Sequence, residues 1–336
     1  MQVDHHYYMR LAIKAAWENI TLTYPNPSVG AVILDMHGKI LAIQATQEAG
    51  KAHAELHAIT QALITLGDAT LPTLHSAKEQ HAYILSSHHD RLKGATIYVT
   101  LEPCNHTGKT PPCSLLIEKL GFSQLICGIK DPNTKATGAL QGLKNAGVSV
   151  TSGIMQEACE VLLTPFKRWQ AKKPFIFFKL ALSANGVYDG GTITSLTSRT
   201  LVHQMRDKVD LLIIGGETVR QDRPTLDSRL VGGKAPDILI LSKHKDFDKN
   251  IPLFKVPNRQ VFIEENFDKI TSYQFIMIEG GEAMLRMTIM IVDWYCIFYA
   301  SHFKEGKTIQ ITQDLQRLAQ LENKHDTITW FQTKDI

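Results

Sequence analysis

The sequence predicts an α/β protein of two successive domains. Three observations carry this expectation. Apolar runs of strand length alternate with stretches of helical periodicity along the 336 residues, as strand–helix units do. That length suits about two domains of ordinary size. The alternation changes character at Lys172-Lys173-Pro174, and the second half does not repeat the first. The expected layout is a first domain over 1–152, a helical connector over 153–173 and a second domain over 174–336.

The composition, 44% apolar and 21% charged, supplies enough core for a globular chain. There is no run of 18 apolar residues, so no membrane span is expected. Met1 to Arg10 carries His5, His6, Tyr7 and Tyr8 and lacks an apolar signal core. The five cysteines are an odd, sparse set, which points to a reducing cytoplasm. Cys127, Cys159 and Cys296 sit among apolar residues and read as buried free thiols. A net charge of +3 allows a phosphate-bearing ligand but gives no basic stripe for nucleic acid.

The elements come in order. Met9, Ala12, Ile13, Ala16 and Trp17 fall on one side of a helix over 8–20. The two prolines of Tyr24-Pro25-Asn26-Pro27-Ser28 stiffen a loop into a strand, Val29 to Leu34. Asp35-Met36-His37-Gly38 then turns the chain into a second strand, Lys39 to Ala45, as a hairpin. His53 opens a helix to about Leu66, with Leu56, Ile59 and Leu63 inward.

Residues 67–93 hold His75, His81, His88 and His89 and make a longer connection than usual. A solvated loop is expected there. His88-His89-Asp90 as a second metal site lacks a cysteine or a regular ligand spacing. Buried strands come next at Ala95 to Leu101 and Gln124 to Ile129, with a helix starting near Cys113 between them. A helix, Ala139 to Ala146, and a strand, Val148 to Thr151, close the first domain.

The chemistry concentrates in His53-Ala54-Glu55 and in Leu101-Glu102-Pro103-Cys104 through Cys113. One histidine and two cysteines make a three-ligand zinc site with the fourth tetrahedral position open, the catalytic pattern. Glu55, two residues after the His53 ligand, can face the metal's water without ligating. His-x-Glu followed by Pro-Cys and a second Cys is the arrangement of zinc deaminases. The bland alternative is two buried cysteines and a helix-start histidine without metal. The two cysteines are separated by eight residues rather than the two of Cys-x-x-Cys. Asp131 and Asn133 follow a strand end, where ligands gather in open α/β sheets. An Asx turn before Pro132 would also explain Asp131.

In the second half, Gly215-Gly216 and Gly280-Gly281 each follow an apolar strand, Leu211 to Ile214 and Phe275 to Ile278. Paired glycines let backbone N–H groups approach a pyrophosphate, although tight turns use them constantly. Neither is a Gly-x-Gly-x-x-Gly fingerprint, so a Rossmann domain is not indicated. Arg206 and Arg229 are natural clamps for a sugar phosphate, or else solvated surface residues.

The long Cys104–Cys113 form, with Leu-Glu-Pro-Cys in front and Thr-Pro-Pro-Cys behind, resembles the bifunctional riboflavin-biosynthesis deaminase/reductase family. The likeness continues at Met205-Arg206-Asp207, Gly215-Gly216-Glu217-Thr218-Val219, Asp222-Arg223-Pro224-Thr225-Leu226, Arg229 and Glu279-Gly280-Gly281. The resemblance implies a cytidine-deaminase-like α/β/α sandwich followed by a dihydrofolate-reductase-like α/β domain. It implies Zn2+ on His53, Cys104 and Cys113, with Glu55 as the catalytic proton shuttle. Asn26, His106, Lys109, Asp131 and Asn133 would then hold the deaminase substrate. Lys179, Arg206, Leu226, Arg229 and Glu279 would hold the reductase substrate. Ala181, Ser195, Thr218, Asp222, Gly280 and Gly281 would bind NADPH.

The implied activity is hydrolytic deamination of a diaminopyrimidinone bearing a phosphoribosylamino group, then NADPH-dependent reduction of ribosyl to ribityl. The implied partners are that small phosphorylated pyrimidine and further copies of the chain, as a dimer or tetramer, with no nucleic acid and no membrane. Three departures bear on the second domain. Asn185 stands for the family's Asp, and Thr194-Ser195-Leu196-Thr197 lacks its Trp. The tail after Gly281 keeps only part of the cofactor loop. A deaminase with a degraded, non-reducing second domain is the near alternative. A nucleic-acid editing deaminase would want Cys-x-x-Cys and a basic, aromatic surface, and a zinc-stabilised scaffold would not need Glu55.

Overall fold

A computed structural model describes residues 4–88, 91–105, 111–132 and 138–334. The chain divides into two compact units, Met1–Phe166 and Lys167–Ile336. The division falls inside the connector expected over 153–173.

The first unit runs α1 (His5–Glu18), β1 (Gly30–Leu34), β2 (Ile40–Ala45), α2 (Ala54–Thr65), α3 (Ala77–Ser87), β3 (Thr96–Leu101), α4 (Cys113–Lys119), β4 (Gln124–Ile129), α5 (Ala139–Asn145), β5 (Ser149–Ser152) and α6 (Gln156–Leu162). Its sheet has the order β2-β1-β3-β4-β5. β1 is antiparallel to both neighbours, whereas β3, β4 and β5 run parallel. Every residue of β1 is buried, because α1 and α2 both pack on it. The α1 backbone comes so near that a Cβ on Gly30 would lie 1.8 Å from the Ala12 carbonyl oxygen, so no residue but glycine fits there. α6 belongs to this unit, since Cys159 and Leu162 are buried and the Cys159 sulfur fills the space beside Gly128 of β4.

Register gathers four loops at one edge of this sheet. Gly30 pairs with Ala45, Ala31 with Val99 and Leu101 with Ile129. The chain entering β1 and the chains leaving β2, β3 and β4 therefore meet at the same edge. These segments carry Asn26, His53, Cys104 and Asp131.

The segment over 67–93 differs from the expected solvated loop. It forms a 3-10 turn at Leu71–Thr73 and then α3, which packs on α2 and α4. Ser76 and Glu79 cap α3 reciprocally, side chain to backbone, at 3.1 and 3.2 Å. His81 and His88 are buried. His88 Nε2 lies 2.8 Å from Asp68 Oδ2, and Asp68 also accepts the Thr70 and Leu71 amides and the Tyr83 hydroxyl. The second-metal alternative included His89 and Asp90, which lie outside the described residues.

The second unit begins within α7 (Thr164–Gln170). It continues β6 (Phe175–Leu182), α8 (Leu196–Lys208), β7 (Leu211–Gly215), α9 (Gly216–Asp222), β8 (Asp237–Leu241), β9 (Val261–Glu264), β10 (Phe275–Glu279), α10 (Glu282–Thr288), β11 (Trp294–Ala300), β12 (Leu315–Asn323) and β13 (Asp326–Thr333). The sheet order is β12-β13-β11-β6-β10-β7-β8-β9. β13 is antiparallel to β11 and β12, and the strands from β11 to β9 are parallel.

β6 is a central parallel strand buried on both faces, which explains its nearly unbroken apolar run. Phe175 and Phe177 meet Phe275, Trp294 and Trp330 on one face, with Phe175 edge-on to Trp294 at 5.1 Å. Ile176, Phe178 and Leu180 join the apolar cluster on the other.

Candidate functional site

His53 is the N-cap of α2 and Cys113 the first residue of α4, so short-range backbone geometry holds both. Cys104 follows β3, tied down by the Ser114 amide on its carbonyl at 3.2 Å. The three ligand atoms lie within 4.8 Å of one another. His53 Nδ1 is 3.6 Å from Cys104 Sγ and 3.7 Å from Cys113 Sγ. A tetrahedral zinc with bonds of about 2.3 Å to sulfur and about 2.0–2.1 Å to nitrogen separates those atoms by about 3.6 Å. The donor set and its spacing therefore fit zinc, with Nδ1 as the histidine ligand atom.

The electrostatics match a metal site. Cys104 is drawn down to about 4, chiefly by the Cys113 thiol donating to it and also by His53, against its burial. Cys113 is pushed up, chiefly because its thiol donates to Cys104 and then by burial. The two shifts describe one negative charge shared by two sulfurs, and a metal would take both as thiolates. The hydrogen bond to Cys104 raises His53 against its burial. Glu55 is 4% exposed. Burial, then the charge on Cys104, push its carboxyl up to about 7, with His53 and Cys113 opposing. Such a group can both accept and release a proton near neutrality.

The remaining residues expected at this site fare differently. Asn26 lies in the loop entering β1, where its amide donates to Thr23 and its carbonyl accepts from the Thr23 hydroxyl. Asp131 follows β4 at the same edge and is partly buried. His106, Lys109 and Asn133 lie outside the described residues.

Sequence reasoning alone misses Glu102. Its buried carboxylate accepts the backbone N–H of Asp131 on one oxygen, at 3.2 Å, and those of Gly138 and Leu140 on the other, at 3.0 and 3.2 Å. It therefore ties the metal loop to the Asp131 segment and supplies the N-cap that Gly138 has no side chain to provide. A glutamate that interrupts an apolar strand end, two residues before a metal ligand, is the signal that could have found it.

In the second unit, Lys179, Arg206 and Glu279 come together. Arg206 donates from Nε and Nη2 to the two Glu279 oxygens at 2.8 and 3.0 Å, and Lys179 Nζ stands 3.8 Å away. Arg229 is largely exposed and pairs with Asp227 at 2.7 Å. Leu226 is buried with φ +55, a rare backbone state for a bulky side chain. Arg259 holds it there, donating to the carbonyls of Leu226, Thr225 and Leu253 at 2.6, 2.7 and 2.6 Å.

The glycine pairs end adjacent parallel strands, β7 and β10. A Cβ on Gly280 would meet Met284 at 2.7 Å, and one on Gly281 the Tyr188 ring at 2.4 Å. The close approach these glycines permit is thus used partly by the protein itself. Thr218 lies in α9 beside Gly215, Asp222 is exposed at the end of α9, and Ala181 is partly buried on β6. Backbone N–H groups at two neighbouring strand ends, with a hydroxyl and an aromatic ring beside them, suit a dinucleotide's phosphates and ring by type.

Ser195 is the N-cap of α8, and its hydroxyl donates to Asp326 at 2.6 Å. Asn185, where the resemblance implies an Asp, has contacts of its own. Its side-chain amide donates to the Lys304 carbonyl at 2.8 Å and accepts the Lys304 amide at 3.0 Å, and aspartate could make only the second bond.

Comparisons with known proteins agree with this geometry. The model of the cytidine and deoxycytidylate deaminase zinc-binding region matches residues 2–129, and that of the RibD C-terminal domain matches 174–325. The chain is 33% identical to riboflavin biosynthesis protein RibD of Synechocystis over 79% of its own length and 67% of that protein. It is 30% identical to RibD of Corynebacterium ammoniagenes over 87% of its length and 84% of that protein. Other relatives are matched over 55% to 61% of their length. A solved structure of a diaminohydroxyphosphoribosylaminopyrimidine deaminase/5-amino-6-(5-phosphoribosylamino)uracil reductase from Thermotoga maritima shares the fold. Its TM-score is 0.65 at 24% identity, covering 98% of this chain and all of that one.

Proposed function

The chain belongs to the family of riboflavin biosynthesis protein RibD, and on that ground we propose that it performs two successive steps of riboflavin synthesis. Residues 1–152 deaminate a diaminopyrimidinone bearing a phosphoribosylamino group, and residues 174–336 reduce its ribosyl group to ribityl with NADPH. The observation that carries the reading is the His53, Cys104 and Cys113 triangle with buried Glu55 two residues from a ligand.

Zinc held by those three residues would supply a water acidified toward neutrality. Glu55 accepts a proton from the water and delivers it to the departing amino group. The water oxygen bonds to the ring carbon that bears the amino group, the exocyclic C–N bond then breaks, and ammonia leaves with one proton of the water while the other ends on a ring nitrogen. Asn26, His106, Lys109, Asp131 and Asn133 hold the pyrimidine and its phosphate. Glu102 keeps the Asp131 segment in place.

In the second domain, bound NADPH supplies the hydride. Gly280, Gly281, Thr218, Asp222, Ser195 and Ala181 line its site. Lys179 and Glu279 face the sugar, Leu226 presents its backbone, and Arg229 meets the phosphate. Arg206 serves by holding Glu279 ionised. Among the described residues no helix is long and apolar enough to cross a membrane. The cysteines are free thiols, which supports a reducing, cytoplasmic setting. We also propose a homo-oligomer without nucleic-acid or membrane partners.

The test is the purified protein with the diaminopyrimidine phosphate, with and without NADPH, followed by mass spectrometry. Exchange of an amino group for oxygen reports deamination, and two added hydrogens report reduction. Product of neither kind from zinc-loaded protein overturns the reading.

A further inference from the structure

His81 belongs to the His-rich segment rather than to the ligand motif, yet it reaches the metal loops. It projects from α3 and is 2% exposed. Its Nε2 lies 3.3 Å from the carbonyl oxygen of Pro112. A carbonyl can only accept, so Nε2 carries the proton and donates. Pro112 is the N-cap of α4 and has no side-chain cap. Its carbonyl shares one peptide unit with the N–H of Cys113, and that N–H donates to Cys104 Sγ at 3.3 Å.

A trans peptide is planar, with its C=O and N–H pointing in opposite directions. This unit is therefore held at both ends, by an imidazole on one side and a ligand sulfur on the other. Rotation that freed the carbonyl would also swing the N–H off Cys104 and displace Cys113, which begins on the same plane.

We propose that His81 is a positioning residue of the metal centre, orienting the Pro112–Cys113 peptide so that its N–H bonds the Cys104 sulfur and its Cα places the Cys113 ligand. The inference rests on zinc being held by His53, Cys104 and Cys113. Groups that orient metal ligands commonly contribute 10- to 100-fold to metal affinity. His81 acts through an intervening peptide, which puts its effect at the low end, about tenfold. The segment over 67–88 then acts as a brace on the metal centre, and the Ser76–Glu79 capping box starts the helix that bears the imidazole.

The experiment compares His81→Leu, which fills the space without a donor, with His81→Gln, whose amide nitrogen can take the place of Nε2. Zinc affinity of the full chain is measured by competition with a chromophoric chelator. The thiolate-to-metal charge-transfer band is recorded on cobalt-loaded protein. The expected result is about tenfold weaker zinc binding and a shifted band for His81→Leu, with both restored toward wild type in His81→Gln. Unchanged affinity and band in His81→Leu overturn the inference. So does equal loss in both variants, which marks a packing role. If the Leu variant does not fold, His81→Asn, too short to reach, replaces it under the same criteria. A wild-type protein that takes up neither zinc nor cobalt overturns the metal reading itself, a result distinct from either.

Discussion

Arg206 and Glu279 meet in two parallel hydrogen bonds, of 2.8 and 3.0 Å, at the end of β10, with side chains 12% and 13% exposed. The guanidinium expected to clamp a phosphate is thus already committed to a carboxylate. Burial alone would lift the Glu279 carboxyl; the charges of Arg206 and Lys179 overcome it and hold the group below its ordinary range.

Replacing Arg206 with Met therefore strands a buried carboxylate. Breaking a buried pair by removing one partner costs about 3–5 kcal/mol. The sign of the pH dependence comes from the lowered folded value. The pair's contribution is present above the unfolded carboxyl value of about 4.3 and is lost as pH falls through the lower folded one. Denaturant unfolding followed by tryptophan fluorescence should show Arg206→Met destabilised at pH 7, and the gap to wild type closing in acid. A gap that widens in acid contradicts an ionised, paired Glu279.

Zinc removal and ligand removal should agree. The Cys104→Ser, Cys113→Ser double variant is expected to carry no zinc and to lose deamination, while wild type holds one zinc per chain. Metal analysis after desalting decides it, and a full zinc complement in the double variant sinks the ligand assignment.

Glu55→Gln should separate binding from catalysis. The amide keeps the shape but cannot carry the proton, so zinc stays while deamination falls by roughly 100- to 10,000-fold. Reduction of substrate that is already deaminated should continue at the wild-type rate. Near-normal deamination rules Glu55 out as the shuttle.

Glu102→Ala removes the acceptor for the Asp131, Gly138 and Leu140 amides together. Of the three only Leu140 is buried, and a buried amide left unpaired costs roughly 1–3 kcal/mol. Hydrogen exchange should speed up at those three amides, and the Michaelis constant for the pyrimidine should rise while zinc is retained. Unchanged exchange at Gly138 and Leu140 counts against the clamp.

Asn185→Asp puts in the residue that the resemblance implies at this turn, and here it should be unfavourable. The carboxylate loses the donor that serves the Lys304 carbonyl and sets negative charge against that oxygen. A loss of about 0.5–1.5 kcal/mol is expected from one hydrogen bond. Thermal unfolding of the two proteins side by side checks it, and a more stable Asp variant contradicts the paired-peptide explanation.

The features legible in the sequence alone are local ones. Periodicity fixes which faces of α1 and α2 turn inward, and apolar runs mark the strands that are buried on both sides. Ligand chemistry picks out His53, Cys104 and Cys113, because few other roles require that trio with a glutamate two residues away. The α3 helix is legible too, through Ser76 and Glu79, but the polar, His-rich composition masks it. Tertiary structure alone decided the partnerships. Glu102 meets Asp131 and Leu140 across 29 and 38 residues of chain, Arg206 meets Glu279 across 73, and His81 meets Pro112 across 31. A side chain's hydrogen-bond partner at such separations depends on where the sheet register sets each loop. No local pattern encodes that position, so a free phosphate clamp and a committed buried ion pair read alike until the fold is known.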